Sequence, residues 1–87
     1  MADYQYSKEV QAEREKIGKA EVELVGQDGN AYAIMGRVGA ALKRAGYSQS
    51  AVVEYHEASQ SGDYDNLLRV AVDWTEDAGE HEEELNG

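Results

Sequence analysis

Residues 22–47 constrain the fold of this 87-residue chain more than any other stretch. A short apolar segment leads into the glycine-containing turn at residues 26–30, and a long amphipathic segment follows. The turn ends at Asn30, a residue type that favours the start of a helix. The apolar positions of the following segment recur at the spacing of one helical face, at Ile34, Val38, Ala41, Leu42 and Ala45. The pattern therefore predicts one long helix after Asn30.

The end of this helix is marked by several independent signals. Gly46 stands where a left-handed residue commonly terminates a helix, and Lys43 and Arg44 suit the negative end of the helix dipole. Leu42 and Tyr47 occupy the two positions that make the hydrophobic contact of a Schellman motif. The helix is therefore predicted to end at about residue 45.

Two glycines lie inside the predicted helix, although each costs about 1 kcal/mol of helix stability relative to alanine. Gly36 and Ala40 are four residues apart and share one helix face that carries almost no side chain. We expect this strip to allow the close approach of a second helix. Arg37 lies beside it and is a candidate interaction residue.

The segment before the helix has the period of a strand, because Val22 and Leu24 alternate with Glu21 and Glu23. A single strand at residues 22–25 would leave its backbone groups unpaired, so it requires a partner. Residues 70–75 also alternate and are one candidate. The other is the same strand of a second copy in a homodimer, which we favour because residues 63–74 fit a helix better than a strand.

The remaining sequence predicts further helices. Residues 7–19 are compatible with an exposed N-terminal helix whose apolar anchors are Val10 and Ile17, while residues 1–6 are expected to be loose. A helix should begin after Ser48 or Ser50, and another after Asp63. The predicted fold is mainly helical α+β, with one short strand, three packed helices and the exposed N-terminal helix. The predicted domain is residues 20–75, preceded by residues 1–19 and followed by a tail at 76–87.

The charge of the chain limits its partners. The formal net charge is −10, and residues 76–87 contain six acidic residues and no basic one, which predicts a disordered tail. Such a chain should be repelled by nucleic acids and anionic membranes, so we expect neither as a direct partner. The chain contains no cysteine, which is compatible with a reducing, cytoplasmic location.

No motif in the sequence points to catalysis, a cofactor or a metal. The turn at residues 26–30 lacks the Lys-Ser/Thr pair of a phosphate-binding loop, and Asp28 would repel a phosphate. Asp63 and Asp65 are too few for a calcium loop, and helix capping explains Asp63 better. His56 has no partner at metal-ligand spacing. We therefore expect a protein that is not an enzyme.

Part of the sequence resembles a known family. The matching segments are residues 22–30, 33–34, 36–38, 41–42 and 45–46, and later residues 61–65 with Leu68. Together they resemble an uncharacterised family of small bacterial and phage-encoded proteins, over about residues 22–74. The resemblance implies a phage or mobile-element origin and action in a host cytoplasm. It supplies no catalytic residues.

These observations favour a non-enzymatic, acidic protein-binding module. With the phage origin that the resemblance implies, the expected partner is a host protein with a basic surface. A nucleic-acid-handling or defence protein that the module inhibits, in an anti-CRISPR-like role, would be such a partner. The alternatives are an oligomeric small-ligand sponge that holds a nucleotide near residues 26–30 and Arg37, or an accessory structural protein. The candidate interaction residues are Tyr32, Gly36, Arg37, Ala40, Tyr55, Asp63 and Asp65.

Overall fold

The computed structural model describes residues 4–24 and 29–77. These residues form four helices and two strands, in the order α1 (Lys8–Ile17), β1 (Ala20–Val22), α2 (Ala31–Ala45), α3 (Gln49–Ser59), α4 (Tyr64–Trp74) and β2 (Thr75–Asp77). The predicted fold class, mainly helical α+β, is confirmed. The structure differs in having two short strands where the sequence predicted one.

The ends of α2 follow the predicted chemistry. The Asn30 side chain accepts a hydrogen bond of 2.8 Å from the backbone N–H of Tyr32. Gly46 adopts the left-handed conformation, with φ of 106°. The backbone N–H of Tyr47 donates to the Leu42 carbonyl at 3.0 Å, as a Schellman motif requires. Ala45 departs from the prediction, because it is exposed although the other four predicted apolar positions are buried.

The glycine strip of α2 does not make the helix contact that we expected within the fold. Gly36 and Ala40 are both exposed, and a Cβ built on Gly36 would meet no atom within 4 Å. Gly36 is two residues from the buried Ile34 and two from the buried Val38, and two residues correspond to a rotation of about 200° around the helix axis. Gly36 therefore lies on the outer side of α2. The close approach is instead at Gly39, where a Cβ would lie 3.2 Å from Nε2 of His56 on α3.

The two strands pair with each other in parallel, with Ala20 opposite Thr75 and Val22 opposite Asp77. The prediction of a helix as far as residue 74 is confirmed. The second strand begins directly after it rather than at residues 70–75. Thr75 ends the helix in an extended conformation and its hydroxyl donates to the Ala71 carbonyl at 2.6 Å. This internal pairing removes the reason for favouring a homodimer, which was the need for a partner strand. Leu24 lies beyond β1, and residue 25 is outside the described part of the chain.

The core is centred on Trp74, which is almost fully buried. The rings of Tyr6, Tyr47 and Tyr55 stand edge-on to it, at centroid distances of 5.4, 5.3 and 6.0 Å. The expectation of a loose start to the chain was therefore wrong for Tyr6. This ring packs on the core because the indole supplies both an apolar edge and a hydrogen-bond donor.

Helix α1 is anchored on one side only. Val10 is fully buried, while most of its other residues are exposed, which agrees with the predicted exposed helix. The Glu13 carboxylate accepts two hydrogen bonds from Ser48, from its backbone N–H at 2.8 Å and its hydroxyl at 2.7 Å. This pair ties α1 to the first turn of α3.

The predicted C-terminal tail begins too early, because Glu76 and Asp77 belong to β2. The rest of that predicted tail, residues 78–87, lies outside the described residues. Among the described helices, none is both long enough and apolar enough to cross a membrane.

Candidate functional site

The large apolar side chains that stay exposed mark the candidate interaction surface. Among the described residues they are Tyr32, Val53, Tyr64, Leu68 and Val72. Single exposed apolar residues are ordinary, whereas a contiguous group points to an interface. Four of the five belong to two adjoining features, one along α4 and one between α2 and the junction of α3 with α4.

The first feature is the α4 outer row, which consists of Tyr64, Leu68 and Val72. These residues are four apart on one face of the helix, and 47%, 38% and 61% of their respective surfaces are exposed. The adjoining face of α4 supplies Leu67 and Trp74 to the core. The apolar surface of α4 is therefore wider than the part that the other described residues cover.

The second feature is the tyrosine groove, a shallow depression of about 350 Å³ at the start of α2. Tyr32, which is 79% exposed, and Tyr64 contribute aromatic rings to it. The Tyr64 hydroxyl donates to the Gly29 carbonyl, which holds that ring against the segment that enters α2. The described residues that line the groove are Ala31, Tyr32, Met35, Ser59, Gln60, Gly62, Asp63, Tyr64 and Leu67.

The turn between α3 and α4 gives the groove a fixed wall. The Asn66 side-chain amide donates to the Ala58 carbonyl at 3.0 Å, and the Asn66 backbone N–H donates to the Asp63 carboxylate at 3.0 Å. A Cβ on Gly62 would lie 2.9 Å from Cβ of Asn66, which is closer than real Cβ contacts. Glycine is therefore needed at position 62 so that the turn can pass over Asn66.

Helix α3 carries three side chains with a buried polar atom. Nε2 of His56 and the hydroxyls of Tyr55 and Ser59 have no hydrogen bond of normal geometry among the described residues, although the two hydroxyls interact with each other one helical turn apart. Burial raises the pKa of Tyr55. Ser59 lines the groove although only 1% of its surface is exposed, so it forms part of the floor, but its hydroxyl oxygen is enclosed.

The structure brings together only some of the residues that the sequence singled out. Tyr32 and Asp63 both line the tyrosine groove. Gly36, Arg37 and Ala40 lie on the exposed side of α2 and are not part of the groove lining.

The other two candidates occupy different surroundings. Tyr55 is fully buried in the core and offers no surface to a partner. Asp65 is exposed in the first turn of α4.

Sequence reasoning missed the α4 outer row, although a signal for it exists. Tyr64, Leu68 and Val72 recur at i, i+4 and i+8, and the same helix has a separate set of apolar residues that fill the core. Met35 was also missed as a lining residue, because it falls on the α2 face that packs inward.

A second shallow groove, of about 340 Å³, runs between α1 and α4. The chain's own Arg14 occupies it, with the guanidinium carbon 4.5 Å from the Trp74 ring centroid and 5.0 Å from that of Tyr6. Its guanidinium also donates to the Asp73 carbonyl at 3.2 Å. These contacts fix the start of the chain against the core, and we assign them a structural role.

No cluster of three or more histidine, cysteine, aspartate or glutamate residues with metal-site spacing occurs in residues 4–24 and 29–77. Asp63, weighed above as a calcium ligand, caps α4 through Asn66, as the sequence predicted.

Comparison with known proteins finds no match, since no family model, no curated protein and no solved structure is similar to this chain.

Proposed function

We propose that this chain is a non-enzymatic protein-binding module whose interface is formed by the tyrosine groove and the α4 outer row. The observation that carries this proposal is the α4 outer row, which adjoins the groove at Tyr64 and is exposed among the described residues. Tyrosine is enriched at the centre of protein interfaces, because its ring buries a large apolar area while its hydroxyl still forms hydrogen bonds. Tyr32 and Tyr64 are the proposed anchors.

The net charge supports a partner with a basic surface. A charge of −10 accelerates association with a positively charged protein and disfavours association with nucleic acid. Within α4, Asp65 and Asp73 flank the apolar row and Arg69 is the single basic residue. The proposed interface is therefore apolar at its centre and mostly acidic at its edge.

The family resemblance described above suggests what such a partner would be. A phage or mobile-element protein of this kind would bind a host protein that handles nucleic acid or acts in defence, and would inhibit it by occupying its basic surface. This part of the proposal rests on the resemblance and the charge together.

The groove offers less support for a nucleotide sponge. The only charged residue among its described lining residues is Asp63, whose carboxylate would repel a phosphate. Three of the five residues of the turn assigned to that role, 26–28, lie outside the described part of the chain.

The test is an affinity capture from host lysate with three proteins in parallel. Tyr32→Ala removes an exposed ring that the fold does not use, and Val53→Ala removes a side chain that is 44% exposed on α3 outside both features. A true partner is retained by the wild type and by Val53→Ala, and it is lost with Tyr32→Ala. If the same proteins bind to all three, the proposed interface is wrong.

A kinetic measurement on the captured partner tests the electrostatic part. The association rate should fall steeply as the salt concentration is raised from about 50 to 500 mM, because exposed charges are screened over about 10 Å at 0.1 M. A rate that is independent of salt would contradict a basic partner surface.

A further inference from the structure

We infer that the tyrosine groove receives an arginine side chain from the partner. This inference rests on the proposed function and names the group that the groove recognises. It follows from three properties of the lining: its charge, its aromatic rings and its apolar floor.

The charge of the lining selects a cation. Asp63 is the only residue charged at neutral pH among the described lining residues, and it is exposed at the edge of the groove. A partner side chain that enters here meets one negative charge and no positive one. An acidic side chain is disfavoured, and an arginine or lysine is favoured.

The aromatic rings distinguish arginine from lysine. Tyr32 and Tyr64 present partly exposed rings on the same groove. A guanidinium is planar, stacks on aromatic faces and is more weakly hydrated than an ammonium group. The chain already uses this contact internally, since Arg14 lies over the rings of Tyr6 and Trp74.

The floor of the groove complements the methylene stem of an arginine side chain. Met35 and Leu67 are apolar and match the methylene stem of a long cationic side chain. Because arginine carries five N–H donors in a planar fork, it can direct two of them to the Asp63 carboxylate at the edge of the groove.

The experiment titrates the ¹⁵N-labelled full chain with three blocked amino acids, the Nα-acetyl methylamides of arginine, lysine and norleucine. The arginine derivative should shift the amide signals of Tyr32, Ser59 and Leu67, which line the groove. It should bind about threefold or more tightly than the lysine derivative, which lacks the planar stacking group. The norleucine derivative reports the apolar contribution alone and should bind most weakly.

Two charge variants provide the matched control. Asp63→Asn removes the carboxylate but keeps a good helix cap, and it should weaken binding of the arginine derivative by about threefold. Asp65→Asn removes an exposed carboxylate that does not line the groove and should leave binding almost unchanged.

Several results would overturn the inference. These are the absence of shifts in the groove, equal binding of the lysine or norleucine derivative, or equal effects of the two charge variants. The proposed function has a separate test, because it fails if Tyr32→Ala releases no captured partner. A partner lost with Tyr32→Ala, together with no preference for the arginine derivative, would refute the arginine and leave the interface standing.

Discussion

The indole N–H of Trp74 donates a hydrogen bond of 3.0 Å to the hydroxyl oxygen of Tyr6. The donor belongs to the most central side chain of the core, and the acceptor belongs to the segment that precedes α1. Tyr6, near the start of the described chain, thus supplies the hydrogen-bond acceptor for the buried indole N–H. Tyr6, in a segment that was expected to be loose, therefore packs against the core.

The first prediction concerns this hydrogen bond. Tyr6→Phe keeps the ring but leaves the buried indole N–H without its acceptor, which should lower the free energy of unfolding by about 1–3 kcal/mol. Urea denaturation followed by Trp74 fluorescence measures the loss. Tyr4→Phe is the control, because the Tyr4 hydroxyl bonds to Glu57 at an exposed position and its loss should cost clearly less. Equal losses in Tyr6→Phe and Tyr4→Phe would show that the hydrogen bond to Trp74 stabilises the fold no more than the exposed one does.

The second prediction compares the two glycines inside α2. Gly36→Leu should raise the free energy of unfolding by up to about 1 kcal/mol, because leucine favours helix and nothing lies within 4 Å of the new Cβ. Gly39→Leu should lower it by about 1–3 kcal/mol, since its side chain would push against His56 and Val52. Thermal melts of both variants, compared with the wild type, measure the two changes in stability. Destabilisation by Gly36→Leu would reveal a contact on the outer face, within the fold or between subunits.

The third prediction concerns where the folded domain ends. Truncation after Asp77 keeps the whole of β2 and should leave the melting temperature nearly unchanged. Truncation after Trp74 removes β2, including the buried Thr75, and should destabilise the domain markedly. A loss above about 2 kcal/mol for the longer variant would show that the residues after Asp77 dock on the fold.

The fourth prediction concerns acid stability. The hydrogen bonds from Ser48 lower the pKa of Glu13 from its ordinary value of 4.5. A carboxyl whose pKa is lower in the folded state stabilises the fold at pH values above its unfolded pKa, and this contribution disappears as the pH falls through the folded pKa. Glu13→Gln should therefore be less stable than the wild type at pH 7, and the difference should shrink below about pH 4.5. Unfolding measured between pH 7 and pH 3 tests this, with exposed Glu15→Gln as the control.

The fifth prediction concerns the strand pairing. The backbone amides of β1 should be protected from hydrogen exchange in a sample whose mass by light scattering is that of a monomer. The reason is that β2 of the same chain is the partner strand. Protection that appears only at concentrations where a dimer forms would contradict the internal pairing.

Local signals in the sequence predicted the helices well. The caps at Asn30, Ser48 and Asp63 form as expected, and so does the left-handed turn at Gly46. These features depend on residues within about one helical turn of each other, so a short stretch of sequence contains all the information needed.

Contacts between distant residues were harder to predict. The outer position of Gly36 and the packing of Tyr6 on Trp74 depend on how whole helices are oriented. The pairing partner of β1 begins at Thr75, directly after a helix, and three residues are too few to produce a clear alternation.

The candidate site was predicted in part. Tyr32 and Asp63 are recognisable from their types and their positions near helix starts. The groove that brings them together is a product of tertiary packing.

The parallel register of the two strands also has a consequence for biosynthesis. Since Ala20 pairs with Thr75, the sheet cannot form until all three helices between the strands have emerged from the ribosome. The helices contain mostly local contacts and can assemble earlier, whereas the strand pairing must wait for this long-range closure. In a nascent chain that stalls before residue 75, the backbone groups of β1 would therefore remain unpaired. Such a strand can pair with other chains and promote aggregation.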